Sequence, residues 1–267
     1  MSLSHWPDRP QVMGIVNVTP DSFSDGGRYV DAERAIAHAR QLVAEGADLL
    51  DIGGESTRPG ARPVSAEEEI ERVLPVLAGA RELGVPVSVD TMKPAVMRAA
   101  LAAGAAMIND VNGFRAEGAW AAVADSDCAL CVMHMQGEPR TMQAEPHYAD
   151  VVAEVTAFLV ERIHAAEAHG IARARLCIDP GFGFGKTLAH NVALFRALPR
   201  LAALAPVLVG VSRKAMLGAL TGRPVEQRQA ASVAAALLAA QAGAAILRVH
   251  DVGATVDALK IRHALGD

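Results

Sequence analysis

Eight short apolar runs punctuate the chain, and each ends on a polar or charged side chain. The ends are Asn17, Asp51, Asp90, Asn109-Asp110, His134, Asp179, Ser212-Arg213-Lys214 and Arg248-Val249-His250. The runs do not alternate apolar with polar positions, as a strand with one wet face would. An unbroken apolar run is the pattern of a parallel strand covered on both faces. Seven of the eight are followed, after a loop, by a stretch rich in Ala and Leu that reads as helix. The pattern predicts strands at about Val12–Val18, Leu49–Ile52, Pro86–Asp90, Ala106–Val111, Ala129–His134, Arg175–Asp179, Pro206–Val211 and Ala245–Val249. It predicts helices at Asp31–Gly46, from Ser65, and at Lys93–Ala103, Ala119–Ala124, Asp150–His169, Asn191–Leu201, Val225–Ala242 and Ala254–Leu265. Strand and helix alternate without a compositional break, so the expected fold is a single α/β domain spanning 1–267, a (β/α)8 TIM barrel.

In such a barrel the active site forms at the carboxyl ends of the strands. The residues that end the apolar runs are therefore also the candidate site. Three long Gly- and Pro-containing loops, Thr19–Arg28, Gly53–Pro63 and Gln136–His147, leave those same ends and should rim the mouth. The bulk numbers narrow the function. Among 267 residues, 51% are hydrophobic and the net charge is −5, which supplies a sizeable core and argues against nucleic acid as a partner. The chain has no apolar segment long enough to span a membrane and no apparent leader, so a cytoplasmic location is expected. Cys128, Cys131 and Cys177 are too few for a disulfide framework. Cys128 and Cys131 fall three apart on one strand, facing opposite sides, which favours buried free thiols over a redox motif.

Each strand end carries its own chemistry. The segment from Met13 to Gly27 runs into a loop dense in oxygen donors: Asn17, Asp21, Ser22, Ser24 and Asp25 suit Mg²⁺, or an Asx/Ser turn in a solvated loop. Asp51 to Gly60 offers a carboxylate, the Thr57 hydroxyl and Arg58 around Gly-rich backbone, an anion cradle if Arg58 is not simply paired with Glu55 in solvent. Asp90, Asn109, Asp110 and Asp179 converge as acceptors, which is costly unless they meet donors. A flat heterocycle with several N–H groups would satisfy them, and helix capping is the alternative, for which Asp90 is well placed. Asp179-Pro-Gly-Phe-Gly-Phe184-Gly-Lys186-Thr187 fails as a Walker loop because Pro180 stands where Gly is needed; its glycines instead let backbone approach a flat ligand. Gly210-Val-Ser212-Arg213-Lys214 brings an amine and a hydroxyl to the mouth. Arg248 and His250, two apart, share a face beside a helix start and make a plausible anion clamp.

The segments MGIVNVTPDSFSDGG, DIGGESTRPGA, SVDT, INDV, MHMQGEP, DPGFGFGK, GVSRK and RVHDV, in that order from Met13 to about Val252, resemble the dihydropteroate synthases of folate biosynthesis. The resemblance implies condensation of a dihydropterin methyl diphosphate with 4-aminobenzoate, releasing pyrophosphate. It implies sulfonamides as inhibitors and a homodimer. Carried over by residue, it implies Mg²⁺ at Asn17 and Asp25. It implies pterin binding by Asp90, Asn109, Asp179 and Lys214 beside Met133, with Phe184 and Gly210 also lining the substrate site. It implies a diphosphate site of Thr57, Arg248 and His250. Phe23, Pro59, Ser212 and Lys214 would form the aminobenzoate pocket, with Arg58 ordering its loop. Asp90, Asp179, Lys214, Arg248 and His250 carry the catalytic roles. Two readings compete. A methyltetrahydrofolate:corrinoid methyltransferase would share the pterin contacts but has no use for a diphosphate clamp. A non-catalytic pterin-binding paralogue should have lost clamp or loop residues, which this chain keeps.

Overall fold

A computed structural model describes residues 9–18, 27–57 and 60–266, with backbone only for 27–30. Eight strands make one parallel sheet: β1 (Gln11–Asn17), β2 (Leu49–Gly53), β3 (Val87–Asp90), β4 (Met107–Asp110), β5 (Ala129–Met133), β6 (Leu176–Asp179), β7 (Leu208–Val209) and β8 (Ile246–Val249). Their order, β6-β5-β4-β3-β2-β1-β8-β7, places β6 and β7 at the two ends. An isolated parallel bridge, Ile178 to Val207, joins those ends and turns the sheet into a barrel.

Between the strands run α1 (Gly27–Ala44), α2 (Ala66–Arg81), α3 (Pro94–Ala102), α4 (Ala119–Val123), α5 (Val151–Ala168), α6 (Leu188–Arg196), α7 (Leu198–Ala202), α8 (Ala215–Thr221), α9 (Gln229–Gln241) and α10 (Val252–Leu265). Local chemistry fixes several of their starts. Ser65 accepts from Glu68 N at α2, Asp150 accepts from Val152 N and Ala153 N at α5, and Thr187 and His190 form a reciprocal box at α6.

Two layers of apolar side chains result. The larger lies between strands and helices and includes Val16, Leu50, Ile52, Val89, Leu130 and Ile178. The smaller plugs the barrel with Met13, Leu49, Met107, Ala129, Cys131, Cys177, Leu208 and Ile246. Every one of those interior residues is at most 1% exposed, so the barrel is filled rather than hollow. The three cysteines are free and buried, with Cys128 in the outer layer and Cys131 in the inner one.

The expected helices need four corrections. The helix predicted over Asn191–Leu201 is two, α6 and α7, broken at Ala197 where Pro199 opens the second. The one predicted over Val225–Ala242 is a single 3₁₀ turn at Val225–Gln227 followed by α9. Before them stands α8, which the pattern missed. Its Gly218 reads as a breaker, yet a Cβ there would lie 2.3 Å from Arg228 Nη2. The glycine is the gap through which Arg228 reaches the Arg213 carbonyl, at 3.0 Å. The first helix also begins at Gly27, ahead of the expected Asp31.

Candidate active site

The pleat builds the site. Side chains two apart on a strand share a face, so each plug residue predicts what stands one step nearer the carboxyl end. Two residues beyond Leu49 is Asp51, and beyond Met107 is Asn109. Beyond Cys131 is Met133, beyond Cys177 is Asp179, beyond Leu208 is Gly210, and beyond Ile246 is Arg248. A largely polar layer thus sits directly on the apolar plug, and Asn109, Met133, Asp179, Gly210 and Arg248 of the predicted site belong to it.

Arg248 lies across the layer. Its Nε donates to Asp51 Oδ2 at 2.6 Å and its Nη2 to Asp90 Oδ2 at 3.1 Å. Asn109 Nδ2 donates to the same Asp51 oxygen at 3.2 Å. Asp51 is wholly buried. Burial, with Asp51 near, raises Asp90 above the ordinary carboxylate range, and Arg248 opposes the shift. Burial alone would lower Arg248, but Asp51 and Asp90 together outweigh it and hold the guanidinium charged. Asp51 Oδ1 and Asn109 Oδ1 are buried without a hydrogen-bond partner among the described residues. An orphaned buried acceptor is expensive and calls for a donor.

Asp179 stands opposite, 5% exposed, at the end of β6. Burial raises it, while Lys214, the Gly181 N–H and Lys186 favour its charged form. Gly181 N donates to Asp179 Oδ1 at 2.7 Å. That turn requires glycine: φ is 69°, and a Cβ would lie 1.9 Å from the His134 carbonyl oxygen. Burial lowers Lys214 to about 8. Its Nζ donates to the Phe182 carbonyl and lies 4.8 Å from the Phe184 ring centre. Phe184 packs beside Met133, Met135 and Met142, which gives the site an apolar wall. A Cβ at Gly210 would come within 3.8 Å of Arg248 Cβ and 4.0 Å of Lys214 Nζ, so the missing side chain keeps the space between them open.

At the rim, Ser212 Oγ accepts from His250 N at 3.2 Å and lies 3.0 Å from His250 Nδ1. Thr57 is half-buried in the loop after β2. That loop is rooted by Glu55, whose Oε1 accepts from Val64 N at 3.0 Å and whose Oε2 accepts from Lys93 at 2.6 Å. Glu55 is therefore engaged by Lys93 and by the Val64 N–H. Phe23, Asp25, Arg58 and Pro59 lie outside the described residues, as do Asp21, Ser22 and Ser24.

Two expectations fail. Asp90 does not cap the following helix: Lys93 holds that position without a side-chain cap, and the Asp90 carboxylate takes Arg248 instead. Asp110 does not join the converging acceptors. One residue past Asn109, it faces the other way and accepts from Asn112 N and Phe114 N, both at 2.7 Å. It braces a loop in which Phe114 has φ 57°.

The donor set suits Mg²⁺ without a cage. Asn17 is half-buried at the end of β1, and a Cβ at Gly53 would lie 3.9 Å from both Asn17 Oδ1 and Asp90 Oδ2, so hard oxygens do gather there. No cluster of three His, Cys, Asp or Glu ligands occurs among the described residues. Mg²⁺ commonly takes one or two protein oxygens, with phosphate and water completing its shell, and Asn17 fits that arrangement.

Sequence reasoning left three residues here without their observed partners. Asp51 was read as a strand end and as the carboxylate of an anion-cradling loop, and His134 as a strand end only. Lys186, 3% exposed, was treated as the tail of a glycine loop. Strand alternation from Leu49 would have found Asp51. Nothing in the sequence signals the contact between Lys186 and His134.

Comparison with known proteins agrees with the geometry. A model for the pterin binding enzymes matches residues 13–250. The dihydropteroate synthase of Neisseria meningitidis serogroup C is 56% identical over 265 residues, covering 97% of this chain and 94% of the relative. Dihydropteroate synthase from Xanthomonas albilineans was solved with 4-aminobenzoic acid (62% identity, TM-score 0.91, 97% and 93% coverage). It was also solved with 7,8-dihydropteroate (59%, 0.88, 97% and 94%). The Yersinia pestis enzyme, solved with a sulfonamide drug, is 50% identical with a TM-score of 0.90 over 96% of this chain and 94% of that one.

Proposed function

The chain belongs to the pterin binding enzymes, and within them to the dihydropteroate synthases; from that premise we propose that it joins (7,8-dihydropterin-6-yl)methyl diphosphate to 4-aminobenzoate, giving 7,8-dihydropteroate and pyrophosphate. The observation that carries the reading is the polar layer itself. Acceptors at Asp90, Asn109 and Asp179 stand buried where a donor-rich ring would satisfy them, and the Arg248 guanidinium lies beside them as the group to hold an anion. Neither rival reading is favoured. A corrinoid methyltransferase leaves an anion-holding Arg248 and His250 unexplained, and the relatives are catalysts.

In this proposal Asp179, Asp90 and Asn109 orient the pterin, Met133 and Phe184 pack its faces, and Lys214 donates beside Asp179. Arg248, His250 and Thr57 receive the diphosphate. Phe23, Pro59 and Ser212 hold 4-aminobenzoate, with Arg58 ordering the loop above it; sulfonamides, as aminobenzoate mimics, occupy the same pocket. Asn17, with Asp25, would hold Mg²⁺, which when bound neutralises charge on the departing pyrophosphate. The chain's own groups favour a dissociative, SN1-like course. Arg248 and His250 stabilise the leaving anion, and the buried carboxylates Asp90 and Asp179 face positive charge spreading over the pterin. An arylamine is already neutral at pH 7 and needs no base to attack. A homodimer and a cytoplasmic location belong to the same proposal. No described helix is long and apolar enough to cross a membrane.

Pyrophosphate release on mixing both substrates with Mg²⁺ tests the reading. Release that requires 4-aminobenzoate and is blocked by a sulfonamide supports it. A chain that binds pterin but releases none would be a binding paralogue.

A further inference from the structure

One oxygen of a fully buried carboxylate sends two bonds into the site. Asp51 Oδ2 accepts from Arg248 Nε at 2.6 Å and from Asn109 Nδ2 at 3.2 Å. Its other oxygen, Oδ1, has no partner among the described residues, so the carboxylate is committed nowhere else. An asparagine amide offers a carbonyl oxygen on one side and two donors on the other, and half a turn exchanges them. With Nδ2 bound to Asp51, the edge left over is Oδ1, which is buried and unpartnered. Asn109 alone would present either edge. Asp51, an acceptor only when ionised, permits one.

We infer that Asp51 is a positioning residue for the reaction: it fixes the Asn109 amide so that the carbonyl faces a donor on the pterin, and it aims Arg248 through the same oxygen. This rests on the reading of Asn109 and Arg248 as substrate contacts. Asp51 touches neither substrate in this account. It acts through two residues that do, one for each part of the same molecule, and so links recognition of the ring to capture of the anion. The register explains why the position carries a carboxylate. Asp51 pairs with Ile15 on β1 and Ser88 on β3, inside the barrel, and only a side chain reaching across the mouth meets both β4 and β8.

The test is a thermodynamic cycle read by calorimetric titration with a hydroxymethylpterin, which lacks the diphosphate. Asp51→Leu should weaken binding at least tenfold when Asn109 is present, and less than twofold in an Asn109→Ala background. Because Asp51→Leu also leaves Arg248 with one fewer partner, a second pair keeps the idea exposed even where that variant does not fold. Asn109→Asp alone sets two carboxylates against each other and should abolish binding. Adding Asp51→Asn restores a donor–acceptor pair with an acceptor facing the ring, and should recover affinity at least tenfold. In the steady state, Asp51→Asn should raise KM for the pterin substrate well above any change for 4-aminobenzoate. Additive losses in the cycle, or no recovery in the swapped pair, would overturn the inference. If the unaltered protein releases pyrophosphate and the cycle is additive, this inference alone fails. If it releases none, the proposed reaction fails instead.

Discussion

Lys186 Nζ lies 3.0 Å from His134 Nδ1 and donates to the Phe184 carbonyl at 2.9 Å. Both side chains are buried, at 3% and 6% exposure. A protonated lysine only donates, so the imidazole nitrogen facing it accepts. Burial lowers Lys186 to about 7, against the pull of Asp179, and lowers His134 to about 3, with Lys186 adding to the effect.

A pH dependence of stability follows from Lys186. Its folded value is about 7 against an ordinary 10.5. Below about 7 both states bind the proton, and the cost of burying the charge is fully present. Between about 7 and 10.5 the unfolded chain binds a proton that the folded chain does not, so this residue makes stability rise with pH there, by up to about 1.4 kcal/mol per pH unit. Denaturant unfolding of Lys186→Met at several pH values should show a shallower rise than the parent above pH 7. Parallel profiles would mean that Lys186 keeps its proton in the folded state.

Arg248 and His250 should separate by stability. Arg248→Ala leaves Asp51 and Asp90 without their counter-ion and should cost roughly 2–4 kcal/mol, somewhat below the range for a fully buried pair. His250→Ala loses a contact to Ser212 and should stay within about 1 kcal/mol. Both should weaken the diphosphate substrate far more than a hydroxymethylpterin, measured by thermal melts and titration. Equal loss for the two ligands would make the pair structural.

Asp179→Asn should weaken pterin binding by roughly 2–4 kcal/mol, because it puts donors where a buried charge-assisted acceptor stood. Calorimetry checks this. A folded variant of unchanged affinity removes Asp179 from the site.

Binding should be ordered. 4-Aminobenzoate should bind poorly to the free protein and tightly once pyrophosphate, Mg²⁺ and a pterin are present, since the proposed pocket draws Phe23 and Pro59 from the two long loops that follow β1 and β2 in sequence. Tight binding to the free protein would end that account.

The chemical step should vary little with amine basicity. Single-turnover rates across ring-substituted 4-aminobenzoates measure this, and a steep dependence would point to direct displacement.

The fold was legible because its signal is redundant: eight apolar runs, each ending on a polar group, admit few other arrangements. Asp179, Asn109 and Arg248 were legible for the same reason, as polar residues at the ends of apolar runs. What escaped was set by contacts distant in sequence. Asp90 resembles a helix cap until Arg248 is seen 158 positions away, and Asp51 has no evident task until Arg248 and Asn109 close on it. α8 was hidden because Gly218 serves a neighbour's side chain rather than its own helix.

The barrel's ladder is not equally strong all the way round. β7 has two residues, and β6 meets it at one bridge, whereas β1 and β2 pair over five positions. Asp179 stands on one side of that seam and Gly210, Ser212 and Lys214 follow the other. A pterin bonded to both Asp179 and Lys214 would act as a rivet where the backbone supplies least. In the proposed reading the substrate would tie together the two sides of the barrel wall where the strand ladder is shortest, as well as fill the mouth above it.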